Sequence, residues 1–134
     1  MPVLVDTNVI LDILTNDPEW ADWSDEQLTA HQPAGLIVNP VIFAELCVNA
    51  SDPAEVNRIL DHLKLKFAEI PRTALFTAAK AFLAYRKRGG AKTSPLPDFF
   101  IGAHAETTET PLLTRDPSRF RTYFPKARVI APLP

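Results

Sequence analysis

Three short apolar runs, each followed at once by a helix-starting residue, restrict this chain more than any other feature. Val3-Leu4-Val5 runs into Asp6, Leu36-Ile37-Val38 into Asn39-Pro40, and Leu112-Leu113 into Thr114-Arg115-Asp116-Pro117. None alternates apolar with polar residues. Strands that are apolar on both faces belong in parallel sheets covered on both sides. Parallel strands need long crossovers, and the intervals between the runs carry helical patterns. Weaker strand signals lie at Phe67 to Ile70 and Arg128 to Ile130.

The helices announce themselves by caps and periodicity. Asn8 to Leu14 is a short, mostly apolar helix, and Ser24 with Gln27 reads as a capping box for a helix ending near His31. Asn39-Pro40 and Asp52-Pro53 each pair an N-cap with a proline at the first helical position. Val56, Ile59, Leu60 and Leu63 then form one stripe. Thr73 is the expected cap of a longer helix that buries Leu75, Ala78, Ala79, Phe82 and Leu83, and Gly89-Gly90 ends it. A loop with Thr93, Ser94, Pro95 and Pro97 leads to a helix near Asp98, and Asp116-Pro117 opens a last turn. Strands alternating with helices predict an α/β sandwich with a mainly parallel sheet of four or five strands flanked by helices. No repeat or linker interrupts it, so residues 1–134 are expected to form a single domain.

The charge balance leaves the choice of partner open. Formal net charge is −2, yet Ile70 to Pro97 contains no Asp or Glu and holds Arg72, Lys80, Arg86, Lys87, Arg88 and Lys92. Acids crowd the first part instead, from Asp12 to Glu26. A nuclease built on carboxylates would itself be driven negative. No apolar run approaches the roughly 18 residues of a membrane span. The N-terminus has no basic leader, and Cys47 is the only cysteine, which together predict a cytoplasmic protein without disulfides.

The same topology selects the chemistry. Open parallel sheets bind ligands beyond the carboxyl ends of their strands. Asp6 and Asp116 follow two such ends. Asn39 follows a third and brings Glu45 about a turn and a half along its helix, while Asp98 opens another helix. Four ionised carboxylates in one cleft repel strongly, about 4 kcal/mol for a pair 4 Å apart at an effective dielectric of 20. A divalent cation resolves the conflict, and all-oxygen ligands suit Mg²⁺ or Mn²⁺. Such an ion can activate water against a phosphodiester.

These segments resemble PIN domains, in particular toxins of the VapC type. The carriers are Asp6-Thr7-Asn8 after the first strand, Glu45 within Asn39-Pro40-Val41-Ile42-Phe43-Ala44-Glu45-Leu46, Pro97-Asp98-Phe99-Phe100-Ile101-Gly102-Ala103, and Leu113-Thr114-Arg115-Asp116-Pro117-Ser118-Arg119-Phe120. The resemblance runs from Val3 to about Phe124. It implies a PIN-like three-layer sandwich and a metal-dependent endoribonuclease acting as the toxin of a toxin–antitoxin pair. Asp6, Glu45, Asp98 and Asp116 would be catalytic and hold the metal, with Thr7, Asn8 and Thr114 in support. The partners implied are RNA, a VapB-like antitoxin and a second copy of the chain. Some relatives carry a further acid after the fourth, where Ser118 and Arg119 stand here.

Other residues get plainer readings. Arg86, Lys87, Arg88, Lys92 and Arg115 are candidates to hold RNA phosphates. Asp12 is expected on a solvated helix face, Gly102 to serve packing, and His31, His62 and His104 to be surface or structural. Trp20 and Trp23 share a helix face and are expected to pack on the core. Two other functions are open: a binding module that kept the acids without turnover, and a phosphatase using Asp6 as nucleophile, which would also need a catalytic lysine.

Overall fold

The computed structural model describes residues 1–92 and 96–134. The Thr93-Ser94-Pro95 part of the expected loop lies outside the described residues. Five strands, β1 (Val3–Val5), β2 (Leu36–Val38), β3 (Leu65–Phe67), β4 (Leu112–Leu113) and β5 (Val129–Ile130), form one sheet in the order β3-β2-β1-β4-β5. All four strand pairs are parallel. The apolar runs therefore behave as expected: Leu4, Val5, Val38, Leu112 and Leu113 are completely buried.

Helices α1 (Thr7–Leu14), α2 (Ala21–His31), α3 (Pro40–Cys47) and α4 (Pro53–His62) make the crossovers from β1 through β3. Helices α5 (Arg72–Lys87) and α6 (Pro97–Thr107) carry the chain back to β4, and α7 (Ser118–Tyr123) joins β4 to β5. Right-handed crossovers place helices on one face while the chain winds outward from β1 and on the other after it returns. The packing agrees: α1 lies against α2 and α3, and α6 against α5 and α7. The winding reverses between β1 and β4, the switch point at which open sheets leave a crevice. Among the described residues, no helix is long and apolar enough to cross a membrane.

Several local expectations need correction. Ser24 does not cap α2, which begins at Ala21; Asp17 Oδ1 instead accepts from the Glu19 and Trp20 amides, and Ser24 is buried. Thr73 does not cap α5, which begins at Arg72 behind Pro71. Helix α5 buries Ala78 and packs Phe82 against the core as expected, but Leu75, Ala79 and Leu83 are exposed and Ala74 is buried instead, so its buried face is turned part of the way from the one expected. Strand β3 starts at Leu65, earlier than expected, because Lys64 turns the chain with a φ of 60°. At the end of α5, Gly89 has a φ of 90°, and the Gly89 and Gly90 amides bond back to Arg86 and Tyr85. That is the Schellman arrangement expected of the glycine pair.

Gly102 permits a close approach between α6 and the segment after α7. A Cβ there would lie 2.3 Å from Phe124 Cδ2, and Phe124 is buried. Overpacking a filled core costs about 1–3 kcal/mol. Gly102→Ala is expected to lower the thermal unfolding midpoint accordingly, measured by circular dichroism. An unchanged midpoint would mean that the Phe124 ring moves aside freely.

Candidate functional site

The register of the sheet puts residues far apart in sequence side by side. Val5 pairs with Leu113, so the next residues, Asp6 and Thr114, emerge together at the carboxyl edge. Asp6 is buried and caps α1, with Oδ1 accepting from the Thr7 amide at 2.8 Å. Its Oδ2 accepts from Thr114 Oγ1 at 2.8 Å and from Asn8 Nδ2 at 3.3 Å. Thr114 Oγ1 in turn accepts from the Asp116 amide at 3.1 Å, and Asn8 Oδ1 accepts from the Arg115 amide at 3.2 Å. Asn8 and Thr114 thus tie the end of β1 to the turn carrying Asp116.

Glu45 reaches the same place from α3, where Thr7 Oγ1 donates to its Oε1 at 2.6 Å. Asp98 is the second residue of α6, and Arg119 Nη1 of α7 lies 3.4 Å from its Oδ2. Neither Asp98 nor Asp116 serves as a helix cap: Leu96 precedes α6 and Pro117 precedes α7 in that place. A cleft of 220 Å³ is lined by Asp6, Thr7, Asn8, Glu45, Asp98 and Asp116, with Leu11 and Phe120. The four acids and two of the three supporting residues named from sequence therefore share one cavity. Thr114 is fully buried behind it, against Asp6.

Crowding shows in the acidities. Asp6 is pushed up to about 6, chiefly by burial, with the charges of Asp98 and Glu45 adding to the shift against the bonds from Thr114 and Thr7. Burial also raises Asp98; Arg119 opposes this and Asp116 adds to it. Among the described residues no lysine lines the cleft, whereas an aspartyl-nucleophile phosphatase would need one.

The donor set is oxygen alone, the set preferred by hard divalent cations, and it carries an excess of negative charge. Among the described residues no three His, Cys, Asp or Glu side chains already group as ligands around one point. The acids do have freedom to turn inward, since the Asp98 and Asp116 side chains are 39% and 76% exposed. In donor type and charge the residues fit a hard divalent cation.

The basic residues named from sequence stand elsewhere. Arg86, Lys87, Arg88 and Lys92 do not line the cleft. Arg86 Nη1 donates to the Lys92 carbonyl at 2.7 Å, and the Arg88 guanidinium lies 5.5 Å above the Tyr123 ring. Arg115 is not free to hold phosphate with its whole fork, because Nε and Nη2 bond to Asp12 at 2.9 and 3.0 Å. Asp12 is accordingly buried rather than solvated, which overturns the expectation for it. Trp20 does not simply pack on the core; Arg115 stacks over its ring at 5.7 Å.

Sequence reasoning also missed the contact between Asn39 and His104. Asn39 Oδ1 caps α3 by accepting from the Ile42 amide at 3.0 Å, and its Nδ2 meets His104 Nδ1 at 3.2 Å. Both residues are buried, and burial lowers the His104 pKa. A neutral ring protonated on Nε2 is the form that accepts this bond. The contact joins the helix carrying Glu45 to the helix carrying Asp98, with no signal in the spacing of the three histidines.

The chain is thus an α/β protein with a doubly wound parallel sheet and an acidic crevice at its switch point. A family model described as PIN domain matches residues 3–124. The chain therefore belongs to the PIN domain family, a family of nucleases. Comparison with curated proteins finds no match. Solved structures give the same fold at low identity. VapBC-1 from nontypeable Haemophilus influenzae matches with a TM-score of 0.70 and 17% identity over 98% of each chain. VapBC2 from Rickettsia felis, bound to a DNA fragment from its promoter, gives 0.69 and 15% over 98% of each chain. A toxin–antitoxin complex from Klebsiella pneumoniae gives 0.64 and 22%, covering 96% of this chain and 95% of that one.

The raised acidity constant of Asp6 has a definite sign. Its native value of about 6 exceeds the ordinary 3.8, so the native state holds a proton that the unfolded state releases. In metal-free protein Asp6 therefore contributes a loss of stability as pH rises from about 4 through 6, of up to about 3 kcal/mol. In EDTA, wild type is expected to melt lower at pH 7.5 than at pH 5, and Asp6→Asn to lose less over that interval. Equal losses in the two proteins would place the titration on another residue.

Proposed function

We propose that this chain is a divalent-metal-dependent endoribonuclease, the toxin of a toxin–antitoxin pair, with one domain over residues 1–134. The observation that carries the reading is the meeting of Asp6, Glu45, Asp98 and Asp116 around one oxygen-lined cleft in a PIN domain. Those four would hold Mg²⁺ or Mn²⁺. When bound, the ion would lower the pKa of a water and offset charge developing on the phosphodiester.

The protein's own residues do the rest. Thr7 orients Glu45 through its hydroxyl. Thr114 and Asn8 orient Asp6 and leave its carboxylate with a fixed direction into the cleft. Asp98 or Asp116, with exposed side chains, can accept the proton of the attacking water. Arg119 supplies a cation beside Asp98 that can meet a substrate phosphate.

The RNA track is formed by Arg86, Lys87, Arg88 and Lys92 at the end of α5. Support for this reading comes from Arg88 stacking on Tyr123 of α7, the helix that follows Asp116. For an antitoxin, support comes from a groove of 640 Å³ beside the cleft. Leu11, Leu14, Leu46, Val48 and Ile59 give it apolar walls, and Glu45 lines both the groove and the cleft. An apolar segment ending in Arg or Lys would fit it and place positive charge among the acids. Self-association is supported by a second apolar groove between α3 and α6, lined by Val41, Ala44, Val48 and Phe100. The setting we assign is the cytoplasm.

Purified, antitoxin-free protein is expected to cleave total RNA with Mg²⁺ or Mn²⁺ and not with EDTA. Asp98→Asn is expected to reduce the rate about 100-fold or more. Failure of folded, metal-loaded protein to cleave would shift the reading to a binding module. Arg86→Ala/Lys87→Ala/Arg88→Ala is expected to weaken RNA binding and flatten its salt dependence, by about 0.7 in log–log slope for each phosphate no longer neutralised. An unchanged slope would remove these residues from the RNA track.

A further inference from the structure

Among the described residues two carboxylates are buried, Asp6 and Asp12, and only Asp6 lines the cleft. Asp12 Oδ2 accepts from Ser24 Oγ at 2.9 Å and from Arg115 Nε at 2.9 Å, while Oδ1 accepts from Arg115 Nη2 at 3.0 Å. The Arg115 guanidinium is also stacked on Trp20. Its remaining nitrogen, Nη1, lies 3.9 Å from Asp116 Oδ2. Two acids therefore compete for one guanidinium, and Arg115 and Asp116 are chain neighbours on the turn between β4 and α7. Asp12 wins by geometry and environment. It is buried and bidentate and has a third bond from Ser24, whereas the Asp116 side chain is 76% exposed to water.

We propose that Asp12 is a positioning residue that withholds Arg115 from Asp116 and so keeps the charge of Asp116 available to a divalent ion. The inference rests on the metal-dependent reading above and adds a control on that same site. Without the Asp12 charge, the nearest acid left to Arg115 is Asp116. A fixed cation would then sit beside the acids, repel the ion and tie up one of its ligands. The guanidinium would become an internal competitor of the metal.

Mn²⁺ binding to the antitoxin-free full chain, measured by isothermal titration calorimetry, tests this without relying on cleavage. Asp12→Asn is expected to weaken Mn²⁺ binding about 10-fold, equivalent to about 1.4 kcal/mol. Arg115→Gln is expected to bind at least as tightly as wild type, and Asp12→Asn/Arg115→Gln to return to within about 3-fold of it. Ser24→Ala, which only loosens the clamp, is expected to shift binding in the same direction by a smaller factor. It serves in place of Asp12→Asn if that variant does not fold. A purely structural Asp12 would lower the unfolding temperature and leave the Mn²⁺ affinity of the folded variants unchanged, which overturns the inference. Wild type that binds Mn²⁺ with a flat mutant cycle removes this proposal alone. Wild type that binds no Mn²⁺ removes the metal-dependent reading and this proposal with it.

Discussion

The hydrogen bond from Thr114 to Asp6 is the contact on which the arrangement turns. It crosses from the end of β4 to the end of β1, between residues 108 positions apart, at the place where the winding of the sheet reverses. An open parallel sheet leaves its crevice there because the helices on its two sides depart in opposite directions. Asn8 adds a second tie by bonding Asp6, Thr114 and the Arg115 amide at once. With these bonds made, the turn that carries Asp116 has one path across the edge. Without them, Asp6 would be a buried charge with only the Thr7 amide to hold it.

Around that seam the electrostatics are arranged in shells of alternating sign. The cleft is acidic enough that burial and neighbouring carboxylates hold Asp6 near 6. Two arginines stand at its rim, and both are already engaged, Arg119 with Asp98 and Arg115 with Asp12. The engagements differ in kind. Arg119 and Asp98 are both partly exposed and meet through one 3.4 Å contact, whereas Arg115 is gripped by a buried fork. Exposed pairs of the first sort contribute little and exchange easily, while removing one partner of a buried pair is costly. One arginine is thus mobile in its allegiance and the other is fixed.

Much of this was legible in the sequence, and what was not has a physical reason. The apolar runs announced buried parallel strands, and the residue after each run pointed to the functional edge. Periodicity oriented α5 only in part, because Leu75, Ala79 and Leu83 extend the stripe of Ala78 and Phe82 as well as the Ala74 that the helix buries. Ser24 carried a convincing capping signal, yet its hydroxyl answers a buried carboxylate twelve residues earlier. Asp12 was illegible because its partner arrives from residue 115, and no local pattern encodes an ion pair between α1 and the turn after β4. The Asn39–His104 bond was hidden for the same cause, two helices brought together from 65 residues apart. Local rules read local chemistry; contacts across the sheet become visible only with the topology.

The order in which the acids occur along the chain has a consequence in time. Asp6 comes first, and its partner Thr114 and the last acid, Asp116, belong to the final crossover. A ribosome adding about 5–20 residues per second needs on the order of ten seconds to go from the one to the other. During that interval the growing polypeptide displays Asp6 and Glu45 without the strand that completes their setting. The cleft is therefore assembled only after β4 has joined β1.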